Sequence, residues 1–278
     1  MIVRDIMTAN PLCAEVPGGR KEVLDLFRKE KISGAPVVKK GTRELVGIVT
    51  LRDLATHTEE DQLALIMRRN PITVSPQASV EEAAKILLEK DIRRLPVVEG
   101  GQLVGLVTVN DIVYRAIAEM DIKDPVEKFL ENKVVPIWQE TSLQVALKIL
   151  QLSKSRALMV LDDNGRLSGI LTESDLINTS EIIPETEVSH LSSGTEGDSW
   201  AWESKMMLYI TKKMLKLPKK SVKDVMITNL VTTTKRTNVS ECAKKMRKKG
   251  IEQLPVIDAE GEVVGIVRNI DLLKALTK

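Results

Sequence analysis

Aromatic residues are scarce in this chain: three Trp, two Tyr and two Phe among 278 positions. Its cores must be built from Val, Ile, Leu and Ala, and seven rings make a poor stacking platform for single-stranded nucleic acid. Cysteine is nearly missing. With Cys13 and Cys242 alone, neither a disulfide framework nor a four-thiolate zinc site can form. His57 and His190 stand far apart, which excludes a multi-histidine metal centre. No apolar run approaches the roughly 18 residues that cross a bilayer. The opening Met1-Ile2-Val3-Arg4-Asp5 lacks the apolar stretch of a signal peptide, so a cytoplasmic protein without membrane contact is expected. A net charge of +2 gives no overall attraction to nucleic acid or anionic lipid.

What is present is a repeat. Hydrophobic residues make up 43% and charged residues 29%, a globular composition with length for one large domain or two to four small ones. Four segments share one pattern: Leu45-Val46-Gly47-Ile48-Val49-Thr50-Leu51-Arg52-Asp53, Leu103 to Asp111, Leu167 to Asp175 and Val263 to Asp271. Glycine (47, 105, 169, 265) precedes aspartate by six positions each time. Thr50, Thr108 and Thr172 lie three residues before their Asp; Arg268 takes that place in the fourth copy. Upstream lie Ala35-Pro36-Val37-Val38, Leu95-Pro96-Val97-Val98 and Leu254-Pro255-Val256-Ile257; the third copy has Ala157-Leu158-Met159-Val160. Three copies also carry a leading segment with a methionine: Met7, Met67 and Met226.

Each unit reads as strand, helix, strand, strand, helix. Val80, Ala83, Ala84, Leu87 and Leu88 fall on one helical face, after a capping pair Ser79 and Glu82; Thr141 and Gln144 repeat the pair in copy three. A turn at Glu99-Gly100-Gly101 joins two apolar strands. Such a unit buries too little surface to be stable alone, so neighbours are expected to pair. The divisions expected are 1–60, 61–121, 122–182 and 218–278 for the four copies. Residues 183–217 form a linker loop and a packing helix that begins near Met206-Met207-Leu208-Tyr209-Ile210.

The glycine-to-aspartate junction with its upstream Leu-Pro-Val strand, four times in register, resembles the cystathionine β-synthase (CBS) domain. The resemblance covers almost the whole chain. It implies an α+β fold of four tandem β-α-β-β-α CBS copies, packed as two pseudo-twofold pairs that can form a flat disk. That implied architecture resembles the nucleotide-sensing gamma subunit of AMP-activated protein kinase and stand-alone archaeal four-copy proteins. The family's pockets take adenosine compounds, so AMP, ADP, ATP or S-adenosylmethionine is the implied ligand, with no cofactor required. The Asp meets ribose hydroxyls, the Thr before it helps hold ribose or phosphate, and the partner copy supplies the rest.

Carried over residue by residue, Thr50 and Asp53 face Thr73, Arg93 and Arg94 of copy two. Thr108 and Asp111 face Cys13 and Ser33-Gly34-Ala35, which offer no fixed cation. Thr172 and Asp175 face Leu230-Val231 and Glu252, an unwelcoming neighbour for polyphosphate. Asp271 keeps its carboxylate beside Arg268, with Arg156 approaching from copy three. Each of these features also has an ordinary structural role. Thr-x-x-Asp before an apolar run is an ordinary capping box, the glycines serve close approach within a strand, and Arg93-Arg94 can be a solvated pair at a helix end.

No catalytic constellation accompanies the repeat. There is no Gly-x-x-x-x-Gly-Lys-Ser/Thr loop, and neither cysteine comes with a nearby histidine. The expected function is regulatory: an adenosine compound binds between paired copies and alters the activity of a partner protein that the sequence does not name. A homodimer is open as an assembly. The alternative is a nucleic-acid-binding or transcription-linked regulator, because residues from Glu203 onward hold 17 Lys+Arg against 8 Asp+Glu.

Overall fold

The computed structural model describes residues 1–57, 60–130, 134–155, 157–172, 175, 176, 179, 181–191 and 206–277; for residues 55, 56, 181–191 and 206–216 only the backbone is described. The chain divides into two units, Met1–Val134 with Asn229–Lys278, and Val135–Thr228.

The first unit begins with α1 (Val3–Ile6), β1 (Thr8–Ala9), β2 (Ala14–Val16), α2 (Arg20–Glu30), β3 (Gly34–Lys39), β4 (Leu45–Thr50) and α3 (Leu51–Thr56). Strand β2 runs parallel to β3, as a helical crossover dictates, and β3 pairs antiparallel with β4. Val23 and Phe27 of α2 bury against Val37 and Val49. The second copy follows with α4 (Leu63–Ile66), β5 (Arg68–Arg69), α5 (Val80–Glu89), β6 (Arg94–Glu99), β7 (Gln102–Thr108) and α6 (Val109–Asp111), continued by a π turn at Ile112–Ile117. Ser79 caps α5, its Oγ accepting from Glu82 N at 3.0 Å.

The two copies exchange their leading segments. Strand β1 of copy one pairs with β7 of copy two, and β5 of copy two pairs with β4 of copy one. The repeated glycine makes this possible. A Cβ on Gly47 would lie 2.6 Å from Met67 Sδ and 3.0 Å from the Arg68 carbonyl; at Gly105 it would collide with Met7 Sδ. The bare α-carbon is the seat of the neighbour's methionine.

The second unit holds β8 (Pro136–Trp138), α7 (Leu143–Ser153), β9 (Ala157–Leu161), β10 (Leu167–Thr172), β11 (Glu181–Leu191) and β12 (Met206–Lys216). Its sheet has the order β10-β9-β8. The segment leading into copy four packs on it, with Met226 over Gly169 and Ile227 bridging Ile170. The cap of α7 falls on Ser142, whose Oγ accepts from Val145 N, one residue after the expected Thr141; the Thr141 N–H is committed to the Trp138 carbonyl. A larger correction concerns residues 183–217. The apolar run at Met206 opens a strand, not a packing helix, and β11 and β12 form a long antiparallel hairpin. Five consecutive apolar residues carry no period of their own. The pairing decides, and its register sets Glu181 opposite Lys216, Glu185 opposite Lys212 and Val188 opposite Tyr209. Of the expected polar loop at 189–199, residues 189–191 end β11 and the rest lie outside the described residues.

The chain returns to the first unit with α8 (Val239–Lys249), β13 (Gln253–Ile257), β14 (Val263–Arg268) and α9 (Asn269–Leu272). Gly250, at φ +64°, ends α8 in the left-handed conformation that glycine adopts freely. Leu130 occupies the position over Gly265 that methionine holds elsewhere. Copies two and four share one core. Ala83, Leu87, Ile112, Val113 and Ala116 pack with Val239, Cys242, Met246, Leu272 and Leu273. Leu87 is fully buried, and truncating such a residue to Ala costs roughly 2–5 kcal/mol.

Candidate functional site

Every copy places its aspartate in the same way. In copies one, two and four the last strand of the copy ends, a short helix begins, and the Asp at the third helical position reaches back to the cap; in copy three Asp175 makes the same bonds to Thr172. Asp53 Oδ2 accepts from Thr50 N at 2.9 Å and from Thr50 Oγ1 at 2.6 Å. Asp111 and Thr108 repeat this at 2.9 and 2.6 Å, and Asp175 and Thr172 at 2.8 and 2.6 Å. Each is a capping box, and it uses one carboxylate oxygen. The other oxygen, Oδ1, distinguishes the copies. Capping and ligand contact are therefore compatible at one residue, since an ionised carboxylate has about four acceptor positions.

At Asp53, Oδ1 accepts from Arg68 Nε at 2.8 Å. The Asp53 side chain is 6% exposed and that of Arg68 58%. At Asp111, the nearest cation is Arg115 Nη1 at 3.7 Å, which donates to the Ile6 carbonyl at 2.7 Å. Burial pushes the Asp111 carboxyl above the usual carboxylate range; the Thr108 hydrogen bonds and Arg115 oppose that shift. At Asp175, Oδ1 takes no hydrogen bond among the described residues. Asp271 is 1% exposed and sealed: Arg268 donates Nε to Oδ2 and Nη2 to Oδ1, both at 2.8 Å, and Lys274 Nζ reaches Oδ1 at 3.2 Å.

The two arginines expected beside Asp53 part company. Arg94 crosses to copy one, where its Nη2 donates to Ser33 Oγ at 2.9 Å. Its guanidinium lies on Gly34, where any Cβ would collide with Nη1. Arg93 instead turns to copy four. Its Nη2 donates to Glu252 Oε2 at 2.7 Å and to Asn269 Oδ1 at 3.1 Å. Asn110 Nδ2 donates to Glu252 Oε1 at 2.9 Å, and Asn269 Nδ2 to Asn110 Oδ1 at 2.5 Å. This polar seam adjoins the helix starts of Asp111 and Asp271. Beside it, burial and the Glu252 carboxylate push the Tyr114 hydroxyl up to about 12. Thr73 is exposed and Ala35 packs in the core of copy one. Arg156 lies outside the described residues.

Sequence reasoning missed Arg68, Arg115, Lys274, Asn110 and Asn269. Two of these had a local signal: Arg115 is four residues after Asp111, and Lys274 three after Asp271, spacings that meet on a helix. Arg68 had none, because its partner lies on another copy. Both cysteines are free; Cys242 is fully buried against Thr233 Oγ1 and Cys13 half-buried, and burial raises both thiols. Among the described residues no group of three or more His, Cys, Asp or Glu is placed to hold a metal ion, and no helix is long and apolar enough to cross a membrane.

A family model described as "CBS domain" matches residues 3–60, 62–117, 126–181 and 222–278. A solved structure of a conserved protein from Pyrococcus horikoshii aligns with 99% of this chain and 100% of its own, at 31% identity and a TM-score of 0.69. The structure of MJ1225 from Methanocaldococcus jannaschii, described as a proposed archaeal homologue of g-AMPK, aligns with 99% of both chains at 20% identity and a TM-score of 0.72, a likeness of fold. Inosine-5′-monophosphate dehydrogenase of Korarchaeum cryptofilum is 43% identical over 117 residues, 41% of this chain. The chain spans only 23% of that enzyme's length.

Proposed function

The chain belongs to the CBS-domain family, and from that membership we propose that it is a regulatory sensor of adenosine compounds. AMP, ADP, ATP or S-adenosylmethionine binds between paired copies, and occupancy alters the activity of a partner protein in the cytoplasm. The chain itself performs no catalysis. The observation that carries this reading is the division of labour within the carboxylates of Asp111 and Asp175. One oxygen holds the cap, and the other takes no hydrogen bond among the described residues, which leaves it to meet a hydroxyl. A half-dry carboxylate such as Asp111 gains from two ribose hydroxyls what burial took from it, because hydrogen bonds to charged groups contribute roughly 1.5–3 kcal/mol each. Arg94, held over Gly34 and Ser33, supplies the guanidinium that suits a phosphate. Asp271, closed by Arg268 and Lys274, is the pocket least suited to a ligand.

A nucleic-acid role for the basic C-terminal quarter has less support. Arg247 pairs with Glu119, Lys235 lies 3.8 Å from Glu127, and Lys274 pairs with Asp271, so part of the positive charge is already answered.

Thermal melting with AMP, ADP, ATP and S-adenosylmethionine tests the proposal. A ligand at 100 times its dissociation constant adds about 2.7 kcal/mol to the native state, a shift of roughly 5–10 °C. Unshifted curves with all four compounds would remove the sensor reading.

A further inference from the structure

Among the described residues, Arg68 is a basic side chain with an ion pair to a repeated aspartate of another copy; Arg115, Arg268 and Lys274 all lie in the same copy as the aspartate they approach. It stands on β5, the exchanged strand, with its backbone opposite Ile48. Only its Nε is engaged, on Asp53 Oδ1 at 2.8 Å; among the described residues its two Nη groups make no hydrogen bond. The carboxylate therefore orients the guanidinium and leaves its outer edge open. Because Oδ1 retains a second lone pair, it can accept a ribose hydroxyl without releasing Arg68.

We propose that Arg68 is a specificity-determining residue of the Asp53 pocket, selecting adenosine compounds with an anionic group on the 5′ carbon over those with a cationic one. This rests on the sensor reading above. The chemistry is direct. In AMP the phosphate, and in S-adenosylmethionine the sulfonium, hang from the same ribose carbon. On this proposal, the 5′ group of a ligand whose ribose hydroxyls meet Asp53 is set beside the Arg68 guanidinium, which the same carboxylate orients. A planar guanidinium donates two parallel hydrogen bonds to a phosphate, whereas it repels a sulfonium and offers it no acceptor. More than half of the Arg68 side chain is exposed, so the preference weakens as salt rises.

The test is isothermal titration of the full chain and of Arg68→Ala with AMP, adenosine and S-adenosylmethionine. The wild type is expected to bind AMP most tightly. In Arg68→Ala, AMP should weaken by roughly 10- to 100-fold, adenosine should hold within about threefold, and S-adenosylmethionine should tighten. Arg68→Lys, which keeps the charge but loses the planar edge, should fall between for AMP. A purely structural ion pair would lower the melting temperature of Arg68→Ala and move all three ligands together, leaving their ratios at the wild-type values; that result overturns the proposal. A wild type that binds none of the three overturns the sensor reading itself and is told apart by the first titration. Should Arg68→Ala fail to fold, the AMP-to-adenosine ratio of Arg68→Lys decides, an unchanged ratio counting against the assignment.

Discussion

Replacing Gly47 by alanine probes the joint on which pairing depends. The added Cβ would lie 2.6 Å from Met67 Sδ, 3.1 Å from Met67 Cγ and 3.0 Å from the carbonyl of Arg68. Normal contact is about 3.5–4.0 Å, so something must yield. Methionine is flexible and can move its sulfur aside. The Arg68 carbonyl cannot move alone, because Arg68 is paired through the backbone with Ile48. Overpacking of this kind costs about 1–3 kcal/mol, and the mobile sulfur sets Gly47→Ala near the lower end. For a chain of this size that is a loss of roughly 2–4 °C in melting temperature. Gly265→Ala should cost more. Its Cβ would meet Leu130 Cδ1 at 2.7 Å and Cγ at 2.8 Å, and a branched side chain has fewer ways to retreat. Melting curves of the two variants, together with Gly47→Ala/Met67→Ala, form the assay. The double variant should recover part of the Gly47→Ala loss as a coupling energy of about 0.5–1 kcal/mol. Equal stability of wild type and Gly47→Ala, or no coupling with Met67, would refute the claim that the repeated glycine exists to seat the neighbouring copy.

Three further outcomes follow from the same geometry. The folded pKa of Asp111 exceeds its unfolded value, so its contribution to stability is fully present below the unfolded pKa and is lost as pH rises through the folded one. Asp111→Asn should therefore gain on the wild type between acid and neutral pH and lose that gain below pH 3.8, the ordinary value; a pH-independent difference would contradict the burial argument. Arg93→Ala breaks the seam to Glu252 and should lower the melting temperature by about 2–4 °C while leaving AMP affinity unchanged; loss of AMP binding would return Arg93 to the ligand. Cys242 should resist a thiol reagent until the protein unfolds and Cys13 should react slowly in the native state, so two fast-reacting thiols would count against the packing described.

The repeat was legible because it is written in short-range chemistry. A glycine, a hydroxyl and a carboxylate at fixed spacing define a strand end and a helix start, and the structure builds them alike at Thr50–Asp53, Thr108–Asp111 and Thr172–Asp175. The hydrophobic face of α5 was legible for the same reason, since its period lies within a dozen residues. What escaped was set by partners distant in sequence. Glu252 is 159 residues from Arg93, and nothing near either announces the pair. Arg68 could be seen as part of a leading segment, but its reach to Asp53 depends on the exchange of that segment between copies. The hairpin of β11 and β12 was hidden because the run at Met206 fits a helix until Glu181–Leu191 pairs with it. In the fourth copy the Asp was visible, whereas its closure by Arg268 and Lys274 together required side-chain directions that spacing alone does not fix.

The most direct test of the sensor account is isothermal titration of AMP and adenosine into the wild-type chain and into Asp53→Ala. The wild type should bind both, AMP more tightly, and Asp53→Ala should weaken both at one site by about 10- to 100-fold, because the lost hydroxyl acceptor serves the ribose that the two ligands share. If Asp53→Ala melts lower by the amount of a lost cap, about 1 kcal/mol, yet binds AMP and adenosine as the wild type does, Asp53 only starts a helix and the account of its pocket is wrong.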